Sequence, residues 1–388
     1  MKDKKEITNF DKQLNISYVP PDTPRPDNRF ILKHCICSIC LYGVALLIIL
    51  YNPYYQNTIA HPSARKLLIY FYIAYIVLAI PLYLIFKPKS LVNSKSILIV
   101  EYLHRLFREG YRSLPGWTKN EKTSIIPTYK EQQAILLFMV KFFFGPFMLH
   151  SVFQAVDLVS GGMQTIQQLL DIQKGNWVSS INFREAVYLL LIQIFLLVDL
   201  SFFAAGYFWE AGFLQNRVKT VENTFLGIVV CIACYPPFND ITANILGWVQ
   251  NDASAFFGDN KSVITWVFRT MAILCLYVYA SASVALFTKA SNLTNRGIVS
   301  IWPYSMVRHP AYIGKNLFWW LTGIPVFFSG TSDIKVHIWM IFAGILSLSG
   351  WSLIYYLRAI TEERHLSKDP DYIEYMKKVK YRFIPGLI

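Results

Sequence analysis

Charge is what this sequence has least of. Asp, Glu, Lys and Arg make up 16% of its 388 residues, against about a quarter in soluble domains. Intrinsic disorder is excluded by that figure, and an ordinary water-soluble enzyme is disfavoured. Acid is the scarcer sign, with 24 Asp and Glu against 37 Lys and Arg. Cysteine is sparse too: six in a chain of this length do not form a disulfide scaffold. Cys35, Cys37, Cys40, Cys231, Cys234 and Cys275 lie in or beside apolar runs, where a thiol behaves as a small apolar group. The Cys35–Cys37–Cys40 spacing lacks a complementary His/Cys pair, so no metal is expected. Also missing are an internal repeat, a Gly-rich phosphate loop, and the short apolar core and cleavage site of a signal peptide.

What is abundant is apolar. Hydrophobic residues account for 54% of the chain and aromatics for 16%, and the mean hydropathy is +0.36. A helix needs about 20 mostly apolar residues to cross a bilayer. Runs of that kind fall at about 34–51, 67–86, 133–153, 186–208, 225–250, 262–288, 312–328 and 336–357. The expected fold is therefore an all-α polytopic membrane protein of about eight transmembrane helices. The fifth run is interrupted by Pro236-Pro237 and Asp240 and reads as a kinked span or a re-entrant hairpin. Asp199 and Arg269 lie close enough to span ends to snorkel.

The basic excess follows this topology. With the N-terminus cytoplasmic, 28 of the 37 Lys and Arg fall on the cytoplasmic side and six outside. That is the positive-inside pattern, with both termini cytoplasmic. The net charge of +13 then suits an anionic inner leaflet and needs no nucleic acid. Within the stretch 87–132, residues 97–114 alternate apolar and basic positions at helical spacing. They read as a helix lying on the membrane face or as a packed connector. Division along the chain gives a polar tail (1–33), an N-terminal transmembrane region without an assigned role (34–260) and a C-terminal core with its tail (261–388).

The C-terminal third carries the chemistry. One cluster is Tyr304 followed by Arg308-His309-Pro310-Ala311-Tyr312-Ile313-Gly314, and the other is Arg358 with Glu362-Glu363 and Leu366. Both fall on the same expected side of the membrane. Arg358 and Glu362 are four apart and share a helix face. Pro310 favours a turn into the next helix, and Gly314 leaves room for close backbone or ligand approach. A cationic site at the water interface, floored by Trp319 and Trp320, suits an anionic or zwitterionic cofactor beside a lipid-phase substrate.

These residues give residues 289–388 a resemblance to a known family. In order and spacing, they resemble the isoprenylcysteine carboxyl methyltransferases and their phospholipid methyltransferase relatives. The match continues through Tyr372 and Tyr375, Val379 and Ile384-Pro385-Gly386. The resemblance implies a C-terminal, cytoplasmic-face pocket for S-adenosylmethionine, contacted by Arg296, Gly297, Ile298, Val299, Tyr304, His309, Pro310, Ala311, Tyr312 and Glu362. It implies that Arg358 binds the acceptor carboxylate, and it gives Arg358 and His309 the catalytic roles. Three positions depart from the pattern: Arg296 in place of His, Trp302-Pro303 in place of a small-residue turn, and Lys289 in place of a polar amide.

Methyl transfer to a carboxylate is an in-line displacement that depends on positioning and exclusion of water more than on acid–base help. An amine acceptor would need a base, for which His309 or Glu362 would serve. The expected partners are membrane lipids and a lipid-phase or prenylated acceptor. Two other readings compete. The tail Tyr381-Arg382-Phe383-Ile384-Pro385 is similar to that of NADPH-dependent membrane sterol reductases, although Ala311 and Lys315 depart from their pattern. A non-catalytic membrane or transport protein is the other.

Overall fold

A computed structural model describes residues 9–112, 125–173, 180–247, 256, 259–328 and 334–387. Among them, six helices are long and apolar enough to cross a membrane, and the chain is a multi-pass integral membrane protein. It divides into two compact units. Unit 1 comprises residues 1–150, 210–223 and 294–297, and unit 2 comprises 151–209, 224–293 and 298–388. The units interleave along the chain.

Unit 1 opens with α1 (Asn9–Gln13) and α2 (Asn28–Tyr51), whose first turn is capped by Asp27 accepting from the Phe30 amide at 2.7 Å. Asn52 ends α2 and caps the short α3 (Pro53–Thr58), and α4 (Pro62–Phe86) starts on a proline, which needs no amide donor there. Ile31 and Cys35 of α2 pack with Ala79 of α4 and with Leu91, so the thiol is core. Next, α5 (Lys95–Arg112) packs on α2, with Ser96 accepting from Ser38 at 2.9 Å. Its outer face presents Leu103, Leu106, Phe107 and Tyr111 at helical spacing. Residues 113 and 114 of the expected interfacial helix lie outside the described residues.

A two-residue ladder of β1 (Thr220–Val221) and β2 (Thr294–Asn295) completes unit 1. Buried Gln133 holds it by donating to the Val221 carbonyl at 3.0 Å and accepting from its amide at 2.6 Å. Gln133 belongs to α6 (Tyr129–Gln173), a 45-residue helix that begins in unit 1 and ends in unit 2. At about 1.5 Å per residue it far exceeds a bilayer core of about 30 Å. The apolar run at 133–153 is thus only its first part. Lys141 on this helix pairs with Glu210 at 3.0 Å, and Lys95 reaches the same carboxylate at 2.8 Å.

Unit 2 contains α7 (Ile181–Phe208), α8 (Phe225–Ile232), α9 (Phe238–Leu246), α10 (Val263–Leu286), α11 (Pro310–Phe327), α12 (Ile334–Leu366) and α13 (Pro370–Lys378). Among the described residues, six of the eight expected runs form helices long and apolar enough to cross a membrane. The fifth run is two short helices, α8 and α9, because Pro236-Pro237 supplies no amide donors to carry one helix through. Its last residues, 248–250, lie outside the described residues. The seventh run is helical as α11 but only 18 residues long, and Lys315, Asn316 and Pro325 keep it from being apolar enough to count. The other six runs form α2, α4, α6, α7, α10 and α12.

Helix packing in unit 2 relies on a small residue at one contact. A β-carbon on Gly314 of α11 would sit 2.6 Å from the Cys275 carbonyl of α10, so only glycine allows this approach. The space at Gly314 therefore serves backbone packing. The two charges expected to snorkel do not. Arg269 is 2% exposed and pairs with Glu185 at 3.0 Å, while Asp199 accepts from Tyr279 Oη at 2.6 Å and from Ser283 Oγ. Both have partners on other elements of unit 2.

Candidate functional site

The C-terminal clusters of the sequence meet in unit 2. The chain turns at His309 and enters α11 with Pro310 at its first position. That turn is clasped by the tail: the amides of Arg308 and His309 donate to the carbonyls of Tyr381 and Arg382 at 3.0 and 3.1 Å. Arg308 also donates to the carbonyls of Val379 and Lys380. At the centre is buried Glu363 of α12, which accepts from Arg308 Nε at 2.8 Å, Arg382 at 2.7 Å and His309 Nε2 at 3.1 Å. Three donors on one carboxylate join α12, the turn and the tail into one piece.

Glu362 faces a different way. One residue along a helix is about 100°, so a Glu-Glu pair cannot share a role. Its carboxylate is 45% exposed, accepts from Tyr312 Oη at 2.7 Å, and lies 3.9 Å from His309 Nδ1. Because Nε2 donates to Glu363, the Nδ1 side of His309 is left facing Glu362. The imidazole stacks on Tyr312 with centroids 5.2 Å apart.

Arg358 lies one turn before Glu362 but makes no ion pair with it. The residue is 7% exposed. Its guanidinium donates to Asn292 Oδ1 at 3.1 Å and packs against the rings of Tyr355, Tyr312 and Tyr235 at 5.1, 5.4 and 5.8 Å. No carboxylate among the described residues lies within ion-pair distance of it. Asn292 is itself fixed: its Nδ2 donates to Tyr207 Oη at 2.9 Å, and its amide donates to the same oxygen at 2.8 Å. The aromatic wall continues as Tyr355, Trp319 and Trp351, while Trp320 donates to Ser352 at 3.0 Å.

The remaining expected residues divide between the units. Tyr304 offers its carbonyl to Tyr375 Oη at 2.7 Å, and Ile298 packs on the buried cluster of Tyr372, Tyr375 and Val379. Burial holds the phenols of Tyr372 and Tyr375 well above their ordinary range, so both remain donors. Val299 and Ala311 are half-buried and Pro310 is buried. Arg296 and Gly297 belong instead to unit 1, where Arg296 donates to the Asn216 carbonyl at 2.9 Å. Gly297 has a φ of +89°, and its amide donates to Asn295.

Sequence reasoning passed over several members of this cluster. Asn292, Tyr207 and Tyr235 come from a loop, a helix end and an inter-helix turn far from either motif, and no local spacing marks them. Glu363 and Arg382 were visible only as parts of the family pattern, and their convergence is a tertiary fact. In sequence comparison, residues 249–379, covering α10 to α13, are similar to a family described as a protein of unknown function (DUF1295). No curated protein and no solved structure matches the chain.

Proposed function

We propose that this membrane protein is an S-adenosylmethionine-dependent methyltransferase acting on a lipid-phase acid, similar in chemistry to isoprenylcysteine carboxyl O-methyltransferase. The observation that carries the reading is Arg358, a buried guanidinium held in place by Asn292 and three tyrosine rings, with no carboxylate partner among the described residues. A buried cation of that kind is poised for an anionic ligand, and a planar guanidinium suits a carboxylate through two parallel hydrogen bonds.

The neighbouring residues fit the cofactor. Glu362 is an accessible carboxylate able to accept from ribose hydroxyls or an amino group. When bound, S-adenosylmethionine would supply an electrophilic methyl group for the acceptor oxygen, with the electron pair of the carbon–sulfur bond left on sulfur. Arg358 would hold and orient the acceptor acid. The Glu363 clasp would hold His309 and Tyr312 still, which is the positioning that such a displacement needs. The aromatic wall would exclude water from the acceptor. Both termini are assigned to the cytoplasmic face by the distribution of basic residues.

The sterol-reductase reading draws on the tail Tyr381–Pro385. There Arg382 is committed to Glu363 rather than free for a phosphate. Calorimetry of the purified chain separates the two. Binding of S-adenosylmethionine, competed by S-adenosylhomocysteine and not by NADPH, is expected. NADPH binding without S-adenosylmethionine binding overturns the proposal, and a C-terminal reporter facing outward overturns the orientation.

A further inference from the structure

A second cation stands beside Arg358. Lys315 of α11 is half-buried, and its ammonium lies 5.3 Å from the Trp319 ring, 5.5 Å from Tyr355 and 5.7 Å from Tyr279. Among the described residues it has no carboxylate at ion-pair distance. The two charges flank one ring: Arg358 lies 5.1 Å from Tyr355 and Lys315 lies 5.5 Å from it. The acids of this region are already engaged. Asp199 accepts from Tyr279 and Ser283, Glu362 from Tyr312, and Glu363 from Arg308, His309 and Arg382.

Two like charges against one ring, in a setting poorer than water, repel each other; they are only partly compensated by aromatic faces and, for Lys315, by Asp199 on the far side of Tyr279, beyond ion-pair distance. One acid group facing Arg358 leaves Lys315 as it was. A ligand with two acid groups neutralises both. Lys315 also lies one turn further along α11 than Tyr312, against Trp319 and Tyr279. Arg358 packs instead with Tyr312 and Tyr235. The cations therefore address different parts of a ligand.

We propose that Lys315 is a second acid-recognising group and that the natural acceptor is an amphiphile whose head group carries two acid groups. The inference rests on the acceptor site assigned to Arg358 above. One acid is the methyl acceptor at Arg358, and the other is held by Lys315 and is not methylated there.

The test is calorimetry on the full chain in neutral detergent, comparing octylsuccinate with decanoate at a pH where both acids are ionised. Octylsuccinate should bind about ten- to a hundredfold more tightly, as expected for one further charge-assisted contact. Lys315→Gln should reduce octylsuccinate to the affinity of decanoate, and Lys315→Arg should keep part of the preference. Both variants should leave decanoate and S-adenosylmethionine binding unchanged. Equal affinity of the two probes for the unaltered chain overturns the inference, even if Lys315→Gln fails to fold. Loss of S-adenosylmethionine binding in Lys315→Gln also overturns it, by giving Lys315 to the cofactor. If the unaltered chain binds no S-adenosylmethionine yet prefers the diacid, the methyltransferase reading fails and the two-acid site stands.

Discussion

Adjacent glutamates divide the work at the end of α12. Glu363 is buried beneath Arg308, His309 and Arg382, whereas Glu362 is 45% exposed and, among the described residues, meets Tyr312 and the far side of His309. Stability and ligand binding should therefore separate by a single position. Glu363→Ala leaves two arginines without their carboxylate and should cost about 3–5 kcal/mol, seen as a lower unfolding temperature. Glu362→Ala should unfold almost as the unaltered chain does but bind S-adenosylmethionine more weakly in calorimetry. Equal destabilisation by the two would refute the division. At Arg358 the expected split is between turnover and cofactor. Arg358→Ala should spare S-adenosylmethionine binding and lower methyl transfer about ten- to a hundredfold, the value of a charge-assisted contact. Arg358→Lys should restore only part of this, because an ammonium lacks the planar fork.

Helices set which of these residues can meet. Gly314 lets α11 lie against the carbonyl of Cys275 on α10, and that approach fixes the start of α11, where the Arg308–His309 turn sits. Gly314→Ala places a carbon 2.6 Å from backbone that cannot move aside. It should destabilise by about 1–3 kcal/mol in thermal unfolding. Gly110→Ala on α5, with nothing within 4 Å of the added carbon, should be neutral or stabilising and serves as the control. On α5 the outward stripe of Leu103, Leu106, Phe107 and Tyr111 beside Arg108 has the character of a helix at an anionic lipid surface. A tryptophan replacing Phe107, which is 77% exposed, should be quenched by lipids with brominated acyl chains in nanodiscs. Fluorescence indifferent to the bromines would make α5 a water-facing connector.

Across the whole chain, ionic groups away from the C-terminal cluster also shape stability. Burial would raise the Glu210 carboxyl, but Lys141 and Lys95 outweigh it and hold it well below the usual carboxylate range. A group depressed on folding contributes stability that is fully present above its unfolded value, about 4.3, and is lost as pH falls. Acidification below about pH 5 should therefore lower the unfolding temperature. Glu210→Gln should flatten that part of the profile while lowering stability at neutral pH. A profile that Glu210→Gln leaves unchanged would place the acid sensitivity elsewhere.

The membrane character of this protein was determined by the sequence alone, because crossing a bilayer needs only length and apolarity, and both are local. Six of the expected runs became long helices for that reason. The motif residues Arg308 to Gly314 and Arg358 to Leu366 were legible as a set, since their spacing survives in one dimension. What the tertiary structure decided is which of them face each other. Packing, not helix phase, selects Glu363 over Glu362 for the buried position, by supplying Arg308 and Arg382 to meet it. Asn292 and Tyr235 reach Arg358 from separate connections, and Lys315 reaches Tyr355 across two helices. Asp199 and Arg269 looked able to reach water from span ends, yet each found partners on a neighbouring helix or loop. Burying a charge or a polar group is tolerable only with its partners in place. Those partners come from parts of the chain far apart in sequence, so only the folded chain could assign them.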